Sequence, residues 1–140
     1  MGERTYRKLG GQLQPVLNAL RQLRAADVWI EVTTLVVPGV NDHEEELKAI
    51  ARFIVDELSP DTPWHILRFF PNYRMAKDIP TPLPLLERAC EIGREAGLSF
   101  VYLSNLFLTG KQDTHCPRCG HVVMARAGSS NRDYKMKNGC

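Results

Sequence analysis

Apolar side chains at Leu13, Val16, Leu17, Leu20 and Leu23 recur at helical spacing, so a helix over 12–24 is expected to turn one stripe toward a core. Pro15 is compatible because it falls in the first turn, where its missing N–H would have had no partner. Gly10-Gly11 gives that helix a flexible lead-in. After Asp27 the pattern changes character. Residues 28–37, from Val28-Trp29-Ile30 to Leu35-Val36-Val37, are β-branched and almost continuously apolar, which predicts a strand covered on both faces. Pro38-Gly39 ends it. A second helical stripe follows at Leu47, Ile50, Ala51, Ile54 and Leu58, behind an acidic start, Glu44-Glu45-Glu46, that suits the helix dipole. Asn41-Asp42 is expected to cap this helix, with Glu45 in capping-box position relative to Asp42.

Positions 59–63 read as a turn and 64–70 as a second strand. A third helix over 83–96 is expected to be capped by Thr81, with Pro82 at its first position, and to stop at Gly97, and 99–103 reads as a third strand. The loop over 71–84 carries four prolines and is long for a plain connection, which marks it as a functional candidate. Helix and strand in alternation are the rhythm of a parallel sheet with covering helices, so the fold class is α/β. Three strands fit one side of a barrel or a small doubly wound sheet.

The tail reads differently. Cys116-Pro117-Arg118-Cys119-Gly120 sets two thiols on a tight knuckle, and Cys140 is the last residue of the sequence. Two thiolates so spaced can reach one soft cation without straining the backbone, and the gap from Cys119 to Cys140 is that of a ribbon with a hairpin between its ligand pairs. Three thiolates make an incomplete zinc ribbon, with Cys116, Cys119 and Cys140 as ligands; His115 and His121 flank the knuckle and read as bystanders, though either could substitute for the missing fourth ligand. Strands over 121–126 and 133–137, with a turn over 128–131, would build the hairpin. It has almost no core and needs metal to fold. Cys90 sits on the third helix and reads as a small buried residue.

Composition adds little. The chain has 140 residues, 44% hydrophobic and 24% charged, with a formal charge of +2, too small to argue for nucleic acid or an anionic membrane as a partner. No apolar run is long enough for a spanning helix, the first residues do not look like a secretory signal, and thiols at ligand spacing point to the cytoplasm.

Among the strands, Glu31 and Thr33 face one side together with Leu35 and Val37. Arg68 lies near the carboxyl end of the second strand, where a guanidinium faces a ligand or a carboxylate, Glu31 being the available one. His65 reads as packed rather than catalytic. No Ser-His-Asp order, phosphate-cradling glycine loop or paired-carboxylate signal stands out, so no catalytic residue is assigned.

Several stretches together resemble one family: Tyr6-Arg7-Lys8-Leu9, Leu13-Gln14-Pro15-Val16-Leu17, the run from Val28 through Thr33-Thr34-Leu35-Val36-Val37-Pro38-Gly39 to Asp42, Pro63-Trp64-His65, Arg68-Phe69, Thr81-Pro82 and the closing cysteines. They look like the C-terminal half of the radical S-adenosylmethionine enzyme of the AmmeMemoRadiSam system, which is similar to pyruvate formate-lyase activating enzymes. The resemblance implies part of a parallel (β/α) barrel over 1–110 and a truncated cysteine ribbon over 111–140. It implies a [4Fe–4S] cluster and S-adenosylmethionine, cleaved reductively to a 5′-deoxyadenosyl radical that abstracts hydrogen. The family's cluster motif, C-x3-C-x2-C, is absent, since the cysteines here are 90, 116, 119 and 140. This chain alone is therefore expected to be inactive, with the missing N-terminal half of the barrel as a partner and a protein substrate or another component of the system as a further one. The residues matching the later barrel strands are Thr33, Arg68 and Tyr73, which the resemblance implies face S-adenosylmethionine. Phe70 departs from the histidine common in the family at that position. An unpaired sheet edge would favour self-association. The alternative is a stand-alone metal-ribbon module that binds protein or nucleic acid.

Overall fold

The computed structural model of the chain describes residues 2–8, 10–106, 112–127 and 130–134. Helices α1 (Glu3–Lys8) and α2 (Leu13–Ala25) lead into strand β1 (Val32–Val36). Then come α3 (Glu44–Phe53), β2 (Trp64–Arg68), α4 (Leu83–Glu95) and β3 (Val101–Ser104). Three short antiparallel strands close the order: β4 (Thr114–His115), β5 (Val122–Ala127) and β6 (Ser130–Tyr134). The protein is thus mixed α/β, with a three-stranded parallel sheet and a small antiparallel one. No helix among the described residues is long and apolar enough to cross a membrane.

Strands β1, β2 and β3 pair in sequential order, with Val32 opposite Trp64 and Trp64 opposite Val101. Three parallel strands in sequential order are common to a barrel wall and to one half of a doubly wound sheet. Strand alternation then divides the side chains into two sets. Val36, Trp64, Ile66 and Leu103 point to one face and are at most 1% exposed. Leu47, Ile50 and Ile54 meet them from α3 and the wider π-type turn that continues it (Ile54–Leu58), and Leu86, Ala89 and Ile92 meet them from α4. The apolar stripe read from 47–58 is therefore the buried one. The Trp64 indole N–H donates to the Thr34 hydroxyl at 2.9 Å, so the largest core side chain keeps its polar group paired. At Gly93 a Cβ would lie 2.9 Å from the Trp64 ring, so only glycine lets α4 approach this closely.

The opposite face is open. Thr33 and Leu35 are exposed, while His65, Leu67, Tyr102 and Ser104 are half-buried. The expected coverage of the first strand on both faces is not seen, because α3 and α4 both pack on the same side. The strand is also shorter than expected, and Trp29, which precedes it, is 72% exposed.

Both expected side-chain caps do other work. At the start of α3 the N-cap is His43, with no side-chain cap bond. The Asn41 carboxamide accepts from the Val37 N–H at 2.7 Å and donates to the Leu35 carbonyl at 2.9 Å, closing the strand-to-helix turn. At α4 the N-cap is Pro82. Thr81, fully buried, accepts from the Phe69 N–H at 2.9 Å and donates to the Val36 carbonyl at 2.6 Å, so it joins the ends of β1 and β2. Short polar side chains bond whichever backbone group the fold brings nearest, and here that group is across the sheet. The stop at Gly97 is as expected: φ is +103°, and the Leu98 N–H reaches back to the Gly93 carbonyl at 3.1 Å.

In the tail the hairpin forms, with an added partner in β4. Its second strand begins at Ser130, earlier than expected, because Ala127 pairs directly with Ser130. Positions 128–129 of the expected turn and 135–137 of the expected strand lie outside the described residues.

Candidate functional site

The open face of the parallel sheet and the hairpin enclose a cleft of about 850 Å³. Trp29, Phe100, Leu106 and Met124 give it apolar walls, and Glu31, His65, Ser104 and Arg126 bring polar groups into it. Concave, mostly apolar space with a few convergent polar groups is the usual form of a small-molecule site.

Backbone register builds the polar row. Thr33 pairs with His65 and His65 with Tyr102, so the three side chains stand on one face of adjacent strands. Glu31 precedes Thr33 by two residues and Ser104 follows Tyr102 by two, which sets both on that same face. The His65 Nε2 lies 2.7 Å from Glu31 Oε2, and its Nδ1 lies 3.0 Å from Ser104 Oγ. The second Glu31 oxygen accepts from the Trp29 indole N–H at 3.1 Å. That bond, with His65 beside it, holds the Glu31 carboxyl below the ordinary carboxylate range. The Tyr102 ring stacks on His65 at 5.2 Å between centroids, and the Arg126 guanidinium lies over the Tyr102 ring at 5.5 Å.

These contacts also fasten the hairpin to the sheet. The Tyr102 hydroxyl and the Thr114 hydroxyl are 3.0 Å apart, and Arg126 donates through Nη1 to the Gln112 carbonyl at 2.9 Å. Gln112, buried, donates in turn to the Leu106 carbonyl at 2.8 Å.

The three residues singled out for S-adenosylmethionine do not form one cluster. Thr33 is exposed on the open face. Arg68 alternates with Trp64 and Ile66 onto the helix-covered side, where its Nε donates to the Thr81 carbonyl at 2.9 Å and its guanidinium faces the Phe70 ring at 5.2 Å. Among the described residues Arg68 makes no ion pair, and Glu31 is on the other face, bonded to His65 and Trp29. Tyr73 is 80% exposed in the single turn of 3-10 helix after β2 (Tyr73–Met75), at a φ of +50°, with the Arg74 guanidinium over its ring. Arg68 and Tyr73 thus share the carboxyl end of β2.

At the cysteines, the Cys116 N–H donates to the His121 carbonyl and the Gly120 N–H to the Cys116 carbonyl, both at 2.8 Å. Gly120 takes a φ of +72°, the left-handed turn that a side chain would resist. Cys116 is buried, and Cys119, His115 and His121 are exposed. The described knuckle sets Cys116 and Cys119 on one tight turn. Among the described residues no three metal-ligating side chains converge, and Cys140 lies outside them. Cys90 is buried in the core on α4, away from the knuckle.

Ser104, Tyr102 and Arg126 are site residues that sequence reasoning did not single out. The signal for the first two was present: in Val101-Tyr102-Leu103-Ser104 polar groups alternate with core residues, as they do in β2.

No protein-family model matches the chain. It is 39% identical over 114 residues, 81% of its length, to an uncharacterized protein of Methanocaldococcus jannaschii, and the match spans 34% of that protein. The chain therefore corresponds to about a third of the relative's length.

Proposed function

We propose that this chain is the C-terminal portion of a radical S-adenosylmethionine enzyme, its sheet a segment of a parallel (β/α) barrel and its hairpin a zinc-ribbon-like appendage. The observation that carries the reading is the open face. Three sequential parallel strands have helices on one side only and turn polar and aromatic side chains to the other, as the wall of a barrel does toward its interior. A related protein about three times as long as the matched segment is consistent with more barrel elsewhere. The segment from Thr33 to Gly39 supplies the particular resemblance.

In barrels of this class the carboxyl ends of the strands hold the ligand. Arg68 and Tyr73 occupy that end of β2 and would contribute to the S-adenosylmethionine surface there, Arg68 from the helix-covered side; Thr33, the second residue of β1, would reach it only from the amino end of the open face. When bound there, S-adenosylmethionine supplies the 5′-deoxyadenosyl group for hydrogen abstraction. The cluster ligands belong to a part of the enzyme outside these 140 residues, so the chain alone performs no radical step. The ribbon would hold zinc through Cys116, Cys119 and Cys140, which suits the reducing cytoplasm. A ribbon acting as an independent binding module is the weaker account of a hairpin tied to β3 through Tyr102, Thr114 and Arg126.

The test joins the part of the archaeal relative outside the matched segment to this chain and reconstitutes the product with iron and sulfide, the relative itself being the control. Under reducing conditions both release 5′-deoxyadenosine from S-adenosylmethionine, and this chain alone does not. A relative that loads a cluster yet forms no 5′-deoxyadenosine would sink the reading.

A further inference from the structure

We infer that Glu31, His65 and Ser104 form a proton relay that makes Ser104 a nucleophile toward small carboxylic esters admitted to the cleft. The direction of the relay follows from acceptor chemistry. An ionised carboxylate only accepts hydrogen bonds, so in the 2.7 Å contact with Glu31 the proton sits on His65 Nε2. The neutral ring then has its lone pair on Nδ1, and the Ser104 hydroxyl, 3.0 Å away, donates to it. This is the electronic arrangement of a serine–histidine–carboxylate triad with the two ring nitrogens exchanged, and such constellations are recognised by geometry rather than by order in the chain.

Three adjacent strands fix the geometry, one residue each from β2, β3 and the segment leading into β1, and the Tyr102 ring holds the imidazole plane by stacking on it. The low-lying carboxyl of Glu31 keeps the negative charge available where an imidazolium would form. Arg126 brings positive charge to the same cleft, and Phe100, Leu106 and Met124 offer apolar contact to an acyl group. Among the described residues the ring of Tyr102, itself ionisable, also faces His65.

The step balances without a co-reactant. Ser104 Oγ bonds to the ester carbonyl carbon, the bond from that carbon to the alcohol oxygen breaks, and the leaving alkoxide or phenolate takes the electron pair. The hydroxyl proton moves to His65 Nδ1 and from there to the leaving group or water. The products are an O-acyl serine and the free alcohol. Neither S-adenosylmethionine nor iron enters, so this inference stands or falls separately from the radical reading.

The experiment treats the full chain with p-nitrophenyl acetate and follows acetylation of the Ser104 peptide by mass spectrometry. Ser104 is expected to be acetylated about a hundredfold faster than the other serines, the lower end of general-base assistance for a partly exposed relay. Ser104→Ala removes that adduct. Glu31→Gln can keep its oxygen toward His65 Nε2 while its amide NH2 replaces the acceptor of the Trp29 indole, so it deletes the charge together with the Trp29 bond and is expected to slow the labelling about tenfold with an unchanged circular dichroism spectrum. Labelling of Ser104 no faster than that of the other serines overturns the proposal, and so does a Glu31→Gln chain that labels at the wild-type rate, because a network that only ties strands together would not feel the charge.

Discussion

The two faces of the parallel sheet are built from the same three strands and have opposite characters. On one, Val36, Trp64, Ile66 and Leu103 are sealed under α3 and α4. On the other, one residue along in each strand, Thr33 and Leu35 are exposed, and His65, Tyr102 and Ser104 line a cleft. Period-two alternation thus separates stability from chemistry within a few residues, and substitutions one position apart should differ by several kcal/mol.

Trp64→Ala should have the largest effect. It empties the centre of the core and leaves the Thr34 hydroxyl without its donor, so denaturant unfolding should lose about 3–5 kcal/mol. Leu35→Ala, on the open face, should stay within about 0.5 kcal/mol. Comparable losses at the two positions would mean that the open face is covered in solution, by another copy or by the rest of the chain.

Thr81→Val should come next. It preserves shape while leaving the Phe69 N–H and the Val36 carbonyl unpaired in a fully buried site, at about 2 kcal/mol in the same measurement. A neutral result would say that water reaches these groups.

The smallest effect belongs to the open face. The Glu31 carboxyl is held below its ordinary value of 4.5, first by the Trp29 indole N–H and then by His65. Its charged form is favoured by folding, so its stabilisation is complete above that value and is lost as pH falls through the depressed one. With half the side chain in solvent the contribution is small. Glu31→Gln should lower the neutral plateau of a stability–pH curve slightly and flatten its acid limb by the same small amount. Glu44 and Glu57, also depressed by Arg88 and Arg21 respectively, should retain the rest of the limb.

Much of this architecture was legible in the sequence because periodicity is a local signal. The stripe from Leu47 to Leu58, the three strands and the stop at Gly97 need only near neighbours to be read. What was not legible depends on partners distant in the chain. Asn41 and Thr81 carry the chemistry of helix caps, yet their bonds go to backbone on or beside the strand ends, a choice made by tertiary contact. Ser104 gains meaning only once parallel register brings it beside His65, 39 residues away in sequence. Arg68 illustrates the reverse error of distance. Its strand position was read correctly, but alternation turns it from Glu31 toward Thr81.

On the proposed reading, the open face is an inner wall that the rest of a larger enzyme covers. Hydroxyl-radical footprinting of this chain alone, and of the same chain joined to the unmatched part of the archaeal relative, tests that directly. Leu35, 44% exposed here, and Trp29 should lose most of their reactivity in the joined protein, while Ile79, 63% exposed beyond the sheet, retains its own. Equal oxidation of Leu35 and Trp29 in the two proteins would contradict it.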